Sequence, residues 1–429
     1  MSVKKISLSE EEFKRALISG KAFDGNGFEH SFEPKDSIPG SINIKNAEIA
    51  NVSLLDLKID KMIFISNCDF DDIRFMSCEF TDILGIHNCT FKKDFALGNS
   101  TFNLFDLADN AIHSFWASHS TIKTLNIRSC VVGKHLAIWG NSLVNSLHIS
   151  DCDLSNKLQF SGTPFDECKI TNCKFTVFEM PSIKEKAILK LIDITIDSFN
   201  LGYDFNNLGY IQWNTIQFKA DASIIIKNAV MNKWDIINCD LSQTKLIIYS
   251  SKIIDTFYTN TKFPDKLCVP DELKQNQNEH EIRRDGYNQL KTIAQKQNDR
   301  KMFLHYQAAE LESYYKTVRW NENFPTWFQL FAMKWSNNFG TKWTWGAIFV
   351  LVSNFIFVAI SFGKRGWQID GDGIGNFLSG YLSSLSSLIS VPKYFISNWE
   401  VNWFYIGRIP LAFGIYQTIA AFRKFGKSE

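Results

Sequence analysis

Nine cysteines and eight histidines are the residues of this 429-residue chain best suited to nucleophilic or metal chemistry, and their spacing argues against both. No Cys-x-x-Cys occurs, and the histidines are scattered without ligand spacing. No Ser-His-Asp or Cys-His set can be assembled. Asp370-Gly371-Asp372-Gly373-Ile374-Gly375-Asn376 opens like a calcium loop, but Tyr381 stands where the bidentate glutamate is required. The segment reads as a flexible turn. Its glycines do not join a strand to a helix as a phosphate loop would. The expectation is a protein that is not an enzyme and has no metal and no cofactor.

Polar residues within apolar sequence offer a different chemistry. Residues 377–395 contain six serines. At helical spacing Ser379, Ser383, Ser386 and Ser390 form one stripe, and Leu378, Leu382, Leu385 and Ile389 form another. A hydroxyl face suits a short helix that lines a wet cavity, or one that packs tightly on a neighbour. Gln417 and Arg408 stand in a further apolar stretch, residues 403–422. The pore-lining candidates are therefore Ser379, Ser383, Ser386, Ser390 and Gln417.

Most of the chain that carries these groups is a repeat. Its unit is a polar residue, a small one, any residue, then a large apolar one. Examples are Asn67-Cys68-Asp69-Phe70, Asn88-Cys89-Thr90-Phe91, Asp151-Cys152-Asp153-Leu154 and Asn238-Cys239-Asp240-Leu241. One column of small residues runs Cys68, Cys89, Ala111, Cys130, Cys152, Cys173, with steps of 21, 22, 19, 22 and 21. A second runs Cys78, Ser100, Ser120, Ser142, with steps of 22, 20 and 22. A period near 21 predicts a solenoid whose coils bury their apolar faces only by stacking. Small and large residues two apart on a strand share a face, so both point inward. Phe70, Phe91, Val132, Leu154 and Phe175 fill the middle, and Asn67 over Asn88 predicts an amide ladder. The pattern is visible from Asn46-Ala47-Glu48-Ile49, fades between about 176 and 227, and ends at Phe263. The cysteines read as small buried hydrophobes of a reducing compartment.

These Cys-x-Phe and Cys-x-Leu pairs resemble the inward positions of pentapeptide-repeat proteins. That resemblance implies coils of four five-residue steps wound into a right-handed square β-helix over residues 42–263.

The remaining elements follow from local signals. Ser9-Glu10-Glu11-Glu12 is a capping box opening a short helix that ends near Gly20 and caps the solenoid. Residues 279–318 predict an antiparallel helix pair interrupted at Asn298-Asp299, with Asp299 as N-cap. It acts as a connector or as a regulatory module. Phe324 to Trp335 is aromatic and nearly uncharged, as in an interfacial helix. Gly346 to Phe362 holds no charge, and the 21 residues 343–363 reach ~31 Å as a helix, enough to span a bilayer core. Trp343, Trp345 and Trp367 flank this first span, and Trp403 opens the second, at 403–422. Arg408 is placed to reach lipid headgroups or a pore, and Pro410 to kink the helix or mark its start. The basic tail and the thiol-rich, signal-free N-terminal region both predict a cytoplasmic location, which requires an even number of spans. Residues 377–395 are then re-entrant or interfacial. The expected organisation is an N-terminal cap (1–41), β-solenoid (42–265), helical connector (266–320), interfacial helix (321–342) and transmembrane region (343–429).

Further stretches resemble a group of bacterial membrane-anchored pentapeptide-repeat proteins: Tyr287-Asn288-Gln289-Leu290-Lys291, Ser336-Asn337-Asn338-Phe339-Gly340, Ile415-Tyr416-Gln417 and Ala421-Phe422-Arg423-Lys424-Phe425. The resemblance implies an inner-membrane protein, ion-channel-like, with a role in antiviral defence. Thr-Val-Gly-Tyr-Gly is absent, which argues against a potassium filter. Residues 1–265 carry 27 basic against 32 acidic residues, a net of −5, too weak for a DNA mimic. No nucleic-acid partner is expected. The expected partners are membrane lipid, further copies of the chain, and a protein on the solenoid. The alternative to a pore is a membrane-tethered solenoid scaffold that conducts nothing.

Overall fold

The computed structural model describes residues 6–19, 23–24, 41–161, 165–180, 187–270, 279–339, 342–363, 371–387 and 390–425. Trp367, Asp370, Ile389 and Lys427 lie outside them. The chain divides into two units, Met1–Asp271 and Glu272–Glu429.

The first unit is a parallel β-solenoid of about ten turns. Strands such as Asp69–Met76, Thr90–Gly98, Ala111–Ser118 and Val131–Trp139 pair in parallel with the strand one coil on. The polar residue that opens each repeat sits at a corner in the left-handed conformation. Asn67, Asn88, Asp109, Ser129, Asp151 and Asn172 all have φ between 51° and 57°. Short polar side chains tolerate that region, and β-branched ones resist it. The amide ladder forms: Asn88 Nδ2 donates to Asn67 Oδ1 at 2.5 Å, and Asn172 Nδ2 to Asp151 Oδ1 at 2.7 Å.

The small residue after each corner does more than save space. Its side chain accepts the backbone N–H of the equivalent residue one coil earlier. Cys68 N–H reaches Cys89 Sγ at 3.4 Å, Cys78 N–H reaches Ser100 Oγ at 3.0 Å, and Ser100 and Ser120 continue the second column. The same side chain donates across its own corner, as Ser100 Oγ does to Gly98 O at 2.9 Å. Cys, Ser and Asn are small enough and carry both donor and acceptor. Burial pushes the Cys78, Cys168 and Cys239 thiols up, so they stay protonated.

The first column needs a correction. Ala111 is exposed, and Asn110, directly after the corner Asp109, takes the inward place. Asn110 Oδ1 accepts from Cys89 N–H and its Nδ2 donates to Ile86 O, both at 2.8 Å. An amide can serve this position because it reproduces the donor and the acceptor together. Ile112 then joins Phe91 and Val132 in the apolar column. Phe70 and Phe91 stack at 5.1 Å, and Phe80 and Phe102 at 4.9 Å.

One feature of the N-terminal cap is revised, and the solenoid expected over 42–263 continues where the repeat pattern fades, between about 176 and 227. Strands Ile188–Asn214 and Gln217–Ile237 continue it, with Ile194 and Ile216 in the small position and Trp213 and Trp234 buried inside. Only the side-chain consensus is lost. Part of the N-terminal cap is sheet: Ile6–Leu8 pairs with Ala47–Ile49. Helix α1 (Glu10–Ser19) opens on the expected capping box, Ser9 N–H to Glu12 Oε2 at 2.8 Å, and packs Phe13 on Phe70.

On one outer face Asp106 is held by Arg128 Nη2 at 2.8 Å and lies 3.0 Å from His87 Nε2. Burial pushes its carboxyl up, but the bonds from His87 and Arg128 outweigh that, and the carboxyl lies below the usual range.

In the second unit, α2 (Glu279–Lys296) and α3 (Arg300–Thr317) form the expected antiparallel pair. Asp299 caps α3 through Met302 N–H at 3.0 Å. Lys291 pairs with Glu310 at 2.6 Å, and Arg284 lies over the Tyr314 ring. Four more helices follow among the described residues: α4 (Phe324–Asn337), α5 (Trp343–Gly363), α6 (Gly371–Ser386) and α7 (Asn398–Phe425).

Two outcomes follow for the solenoid. Asn110→Ala leaves the Cys89 N–H and the Ile86 carbonyl without their partner, and should lower stability by roughly 1–3 kcal/mol, with Asn110→Ser recovering part of it. Urea midpoints of the β-sheet signal measure this, and equal midpoints for Ala and wild type would refute the corner rule. The Asp106 contribution is present at neutral pH and is lost as pH falls through its depressed folded-state value. Asp106→Asn should therefore be less stable than wild type at pH 7 and converge with it below the ordinary carboxylate range. A constant gap across acid titration would contradict this.

Candidate functional site

Several polar groups of the C-terminal helices lie inside beside an apolar cluster of Val358, Phe362, Phe395 and Phe404, while many large apolar side chains lie outside. On α5, Ile348, Leu351, Val352, Phe355 and Ile356 are about half exposed, while Ser353, Asn354 and Ser361 are buried. On α7, Ile409 is 74% exposed and Phe422 62%, while Glu400 is 1% exposed. On α6, Leu378 and Leu382 are outside and Ser384 is fully buried. This reverses the distribution of a water-soluble bundle.

Helices α5 and α7 pack closely because glycines open the way. A side chain at Gly407 would collide with the Phe357 ring, one at Gly414 with Phe349 and Val350, and one at Gly346 with Thr418. Helix α6 meets α5 at two levels. Phe377 packs on Phe362 at 6.0 Å, near the end of α5. Further along, the Tyr381 hydroxyl donates to Leu351 O at 3.2 Å, and Ser384 Oγ to Asn354 Oδ1 at 2.6 Å. Asn354 Nδ2 in turn donates to Tyr381 O at 3.2 Å. Asn354 lies in the middle of α5. The chain then returns, for Phe395 packs on Phe362 at 5.7 Å and on Phe404 at 5.1 Å.

The expected serine stripe is only partly assembled. Helix α6 spans Gly371–Ser386 rather than 377–395, so the segment from Gly371 to Asn376 is helical rather than a turn, and Ser390 lies beyond the helix, exposed. The glycine-rich segment joins the helix, and a hydrogen-bonded turn follows at Pro392–Phe395. Ser379 and Ser383 are half-buried and Ser386 is exposed. Ser383 Oγ donates to Gly380 O at 3.1 Å and Ser386 Oγ to Ser383 O at 3.0 Å, both within their own helix. Gln417 is half-buried on α7 beside Thr418. The serine that reaches another helix is Ser384, which the stripe omitted. Asn354, next to Ser353 in an otherwise aliphatic and aromatic stretch, was the available signal.

Arg408 also moves. Helix α7 begins at Asn398, not Trp403, because Ser397 and Glu400 form a capping box, with Glu400 Oε2 accepting from Ile396 and Ser397 N–H at 2.7 and 3.1 Å. Arg408 is then ten residues in, about 15 Å along the axis. Its guanidinium lies 3.8 Å over the Phe404 ring, and its buried Nε has no hydrogen-bond partner among the described residues. Pro410 stands within α7 and neither starts nor ends it. Trp403 lies 6.1 Å from Phe357, and Trp345 is exposed. The side chain of Trp343 lies outside the described residues. Helix α4 is shorter than 321–342, capped by Asn323 and Asn338, with Phe324, Trp327, Phe331 and Trp335 stacked along it.

Among the described residues one helix, Thr344–Gly363, is long and apolar enough to cross a membrane. The longer α7 is diluted by Glu400, Arg408 and its polar residues. No group of three or more His, Cys, Asp or Glu among the described residues could hold a metal ion. No family model, curated protein or solved structure matches the chain.

Proposed function

We propose that the C-terminal helices lie in a bacterial cell membrane and that several copies assemble there to form or gate an ion-conducting pore, with the β-solenoid as cytoplasmic sensor or assembly platform. The observation that carries this reading is the reversed polarity of α5, α6 and α7, since lipid rewards outward apolar residues and penalises outward polar ones. In this reading α5 and α7 span, α6 is re-entrant, and α4 lies along the surface with its aromatic ladder in the headgroups. Helix α6 reaches only the level of Asn354 before the chain turns back, as a re-entrant segment does. One copy has too few helices to surround a pore, so assembly is required. The solenoid is read as right-handed and four-sided, in keeping with the pentapeptide-repeat resemblance, which also adds a role in phage defence.

A second reading, a membrane-tethered scaffold with a protein partner on its solenoid, draws on Ser383 and Ser386. Their hydroxyls bond to their own helix, as in a segment that only packs.

Topology and conduction are tested separately. A cysteine at Ile374 should react with a membrane-impermeant thiol reagent applied to intact cells, while a tag after Phe425 stays protected. The reverse pattern would overturn the orientation. In planar bilayers the purified oligomer should carry current, and Ser383→Leu with Ser386→Leu should lower it without preventing assembly. Well-assembled oligomers that pass no current under any voltage, with Leu variants fully active in cells, would favour the scaffold.

A further inference from the structure

We propose that Asn354, Tyr381 and Ser384 form a polar latch that holds α6 against α5, and that α6 is the one helix of the bundle built to swing away. The two sides of α5 are fastened differently. Toward α7 the contact is interlocked at Gly346, Gly407 and Gly414, where any added side chain meets a neighbour. Sliding or separating that pair disrupts all three approaches at once. Toward α6 the contact has one such approach, Gly380 on the Phe362 ring, and otherwise consists of rings at Phe355, Phe362, Phe377 and Tyr381 and of the three hydrogen bonds.

The bonds are tightly shared. Tyr381 O accepts from Asn354 Nδ2 at 3.2 Å, and the single Ser384 hydroxyl proton is shared between Asn354 Oδ1 at 2.6 Å, the shorter contact, and Tyr381 O at 3.1 Å. Asn354 is therefore satisfied on both ends of its amide by α6 alone. The opposite face of α6, with Ile374, Leu378 and Leu382, is about half exposed, and among the described residues nothing covers it against an outward swing. The start of α6 is correspondingly weak. A side chain at Gly375 would meet nothing within 4 Å, so packing does not demand glycine there. Glycine at an open helical position makes the first turn easier to unwind. Opening would uncover the Asn354 amide at the middle of α5 and the Ser384 hydroxyl on α6. There they can be satisfied by water or by an ion, or by the same groups of a second copy. Helix α6 is thus a conformational switch whose closed state is set by polar pairing and whose open state presents polar groups.

The inference rests on the membrane reading for its surroundings, and its test needs no current. Hydrogen exchange of the full chain in lipid nanodiscs is compared for wild type, Ser384→Ala, Asn354→Leu and Gly375→Ala. Both latch variants should speed exchange of α6 amides about three- to tenfold, the scale of one or two interhelical hydrogen bonds. Amides of α5 and α7 should stay at wild-type rates. Gly375→Ala should slow exchange in the first turn of α6. Unchanged α6 rates in Ser384→Ala and Asn354→Leu would overturn the latch. Equal acceleration across α5, α6 and α7 would overturn it too, because the three residues would then be part of general packing. A protein that conducts nothing but shows selective α6 release would keep the latch and refute only the pore.

Discussion

Many corners of the solenoid turn one backbone N–H away from the strand ladder, and the small side chain of the following coil receives it. The rest of the first unit is arranged around this bond. It requires a left-handed residue before the small one, which selects Asn, Asp and Ser. It requires a side chain with donor and acceptor that still fits inside, which selects Cys, Ser and Asn. Where it forms it links a coil to the next at fixed register, and Phe70 and Phe91 stack rather than interleave. The bond is a single weak contact, but a buried N–H left without one is costly, so the pattern is repeated at many turns.

The cysteines are explained by the same constraint. Their thiols are held inside the coil, between a carbonyl of their own turn and an N–H of the neighbouring one. A sulfur in that place is a spacer with weak hydrogen-bonding capacity, and serine replaces it at Ser100, Ser120 and Ser142 without a change of geometry. Where Ile194 and Ile216 stand instead, the strands still pair, so stacking of apolar surface alone can carry a few coils.

The helical unit follows an opposite rule about polarity. Asn354, Ser361, Ser384 and Glu400 are inside and each is bonded, while large apolar side chains cover the outside. Buried polar groups amid apolar helices fix one arrangement among many that bulk hydrophobicity would accept equally. Arg408 departs from that order, with a guanidinium on a ring face and an unpartnered Nε deep in α7.

The sequence by itself determined the repeat, its period, the two inward columns, the capping boxes at Ser9 and the cap at Asp299, and the apolar run from Gly346 to Phe362. All of these are local signals, read within a few residues: left-handed tolerance, capping chemistry, and spacing that survives because consecutive coils must match. The tertiary structure alone decided that Asn110 and not Ala111 faces inward, since both fit the period and only the corner at Asp109 separates them. It also decided which serine of α6 matters. Serines stand on more than one face of α6, so the choice of Ser384 over Ser383 or Ser386 was set by where α5 lies. The start of α7 was hidden for a related reason. Trp403 marks the start of the apolar stretch, whereas the helix begins where Glu400 closes on the N–H groups of Ile396 and Ser397.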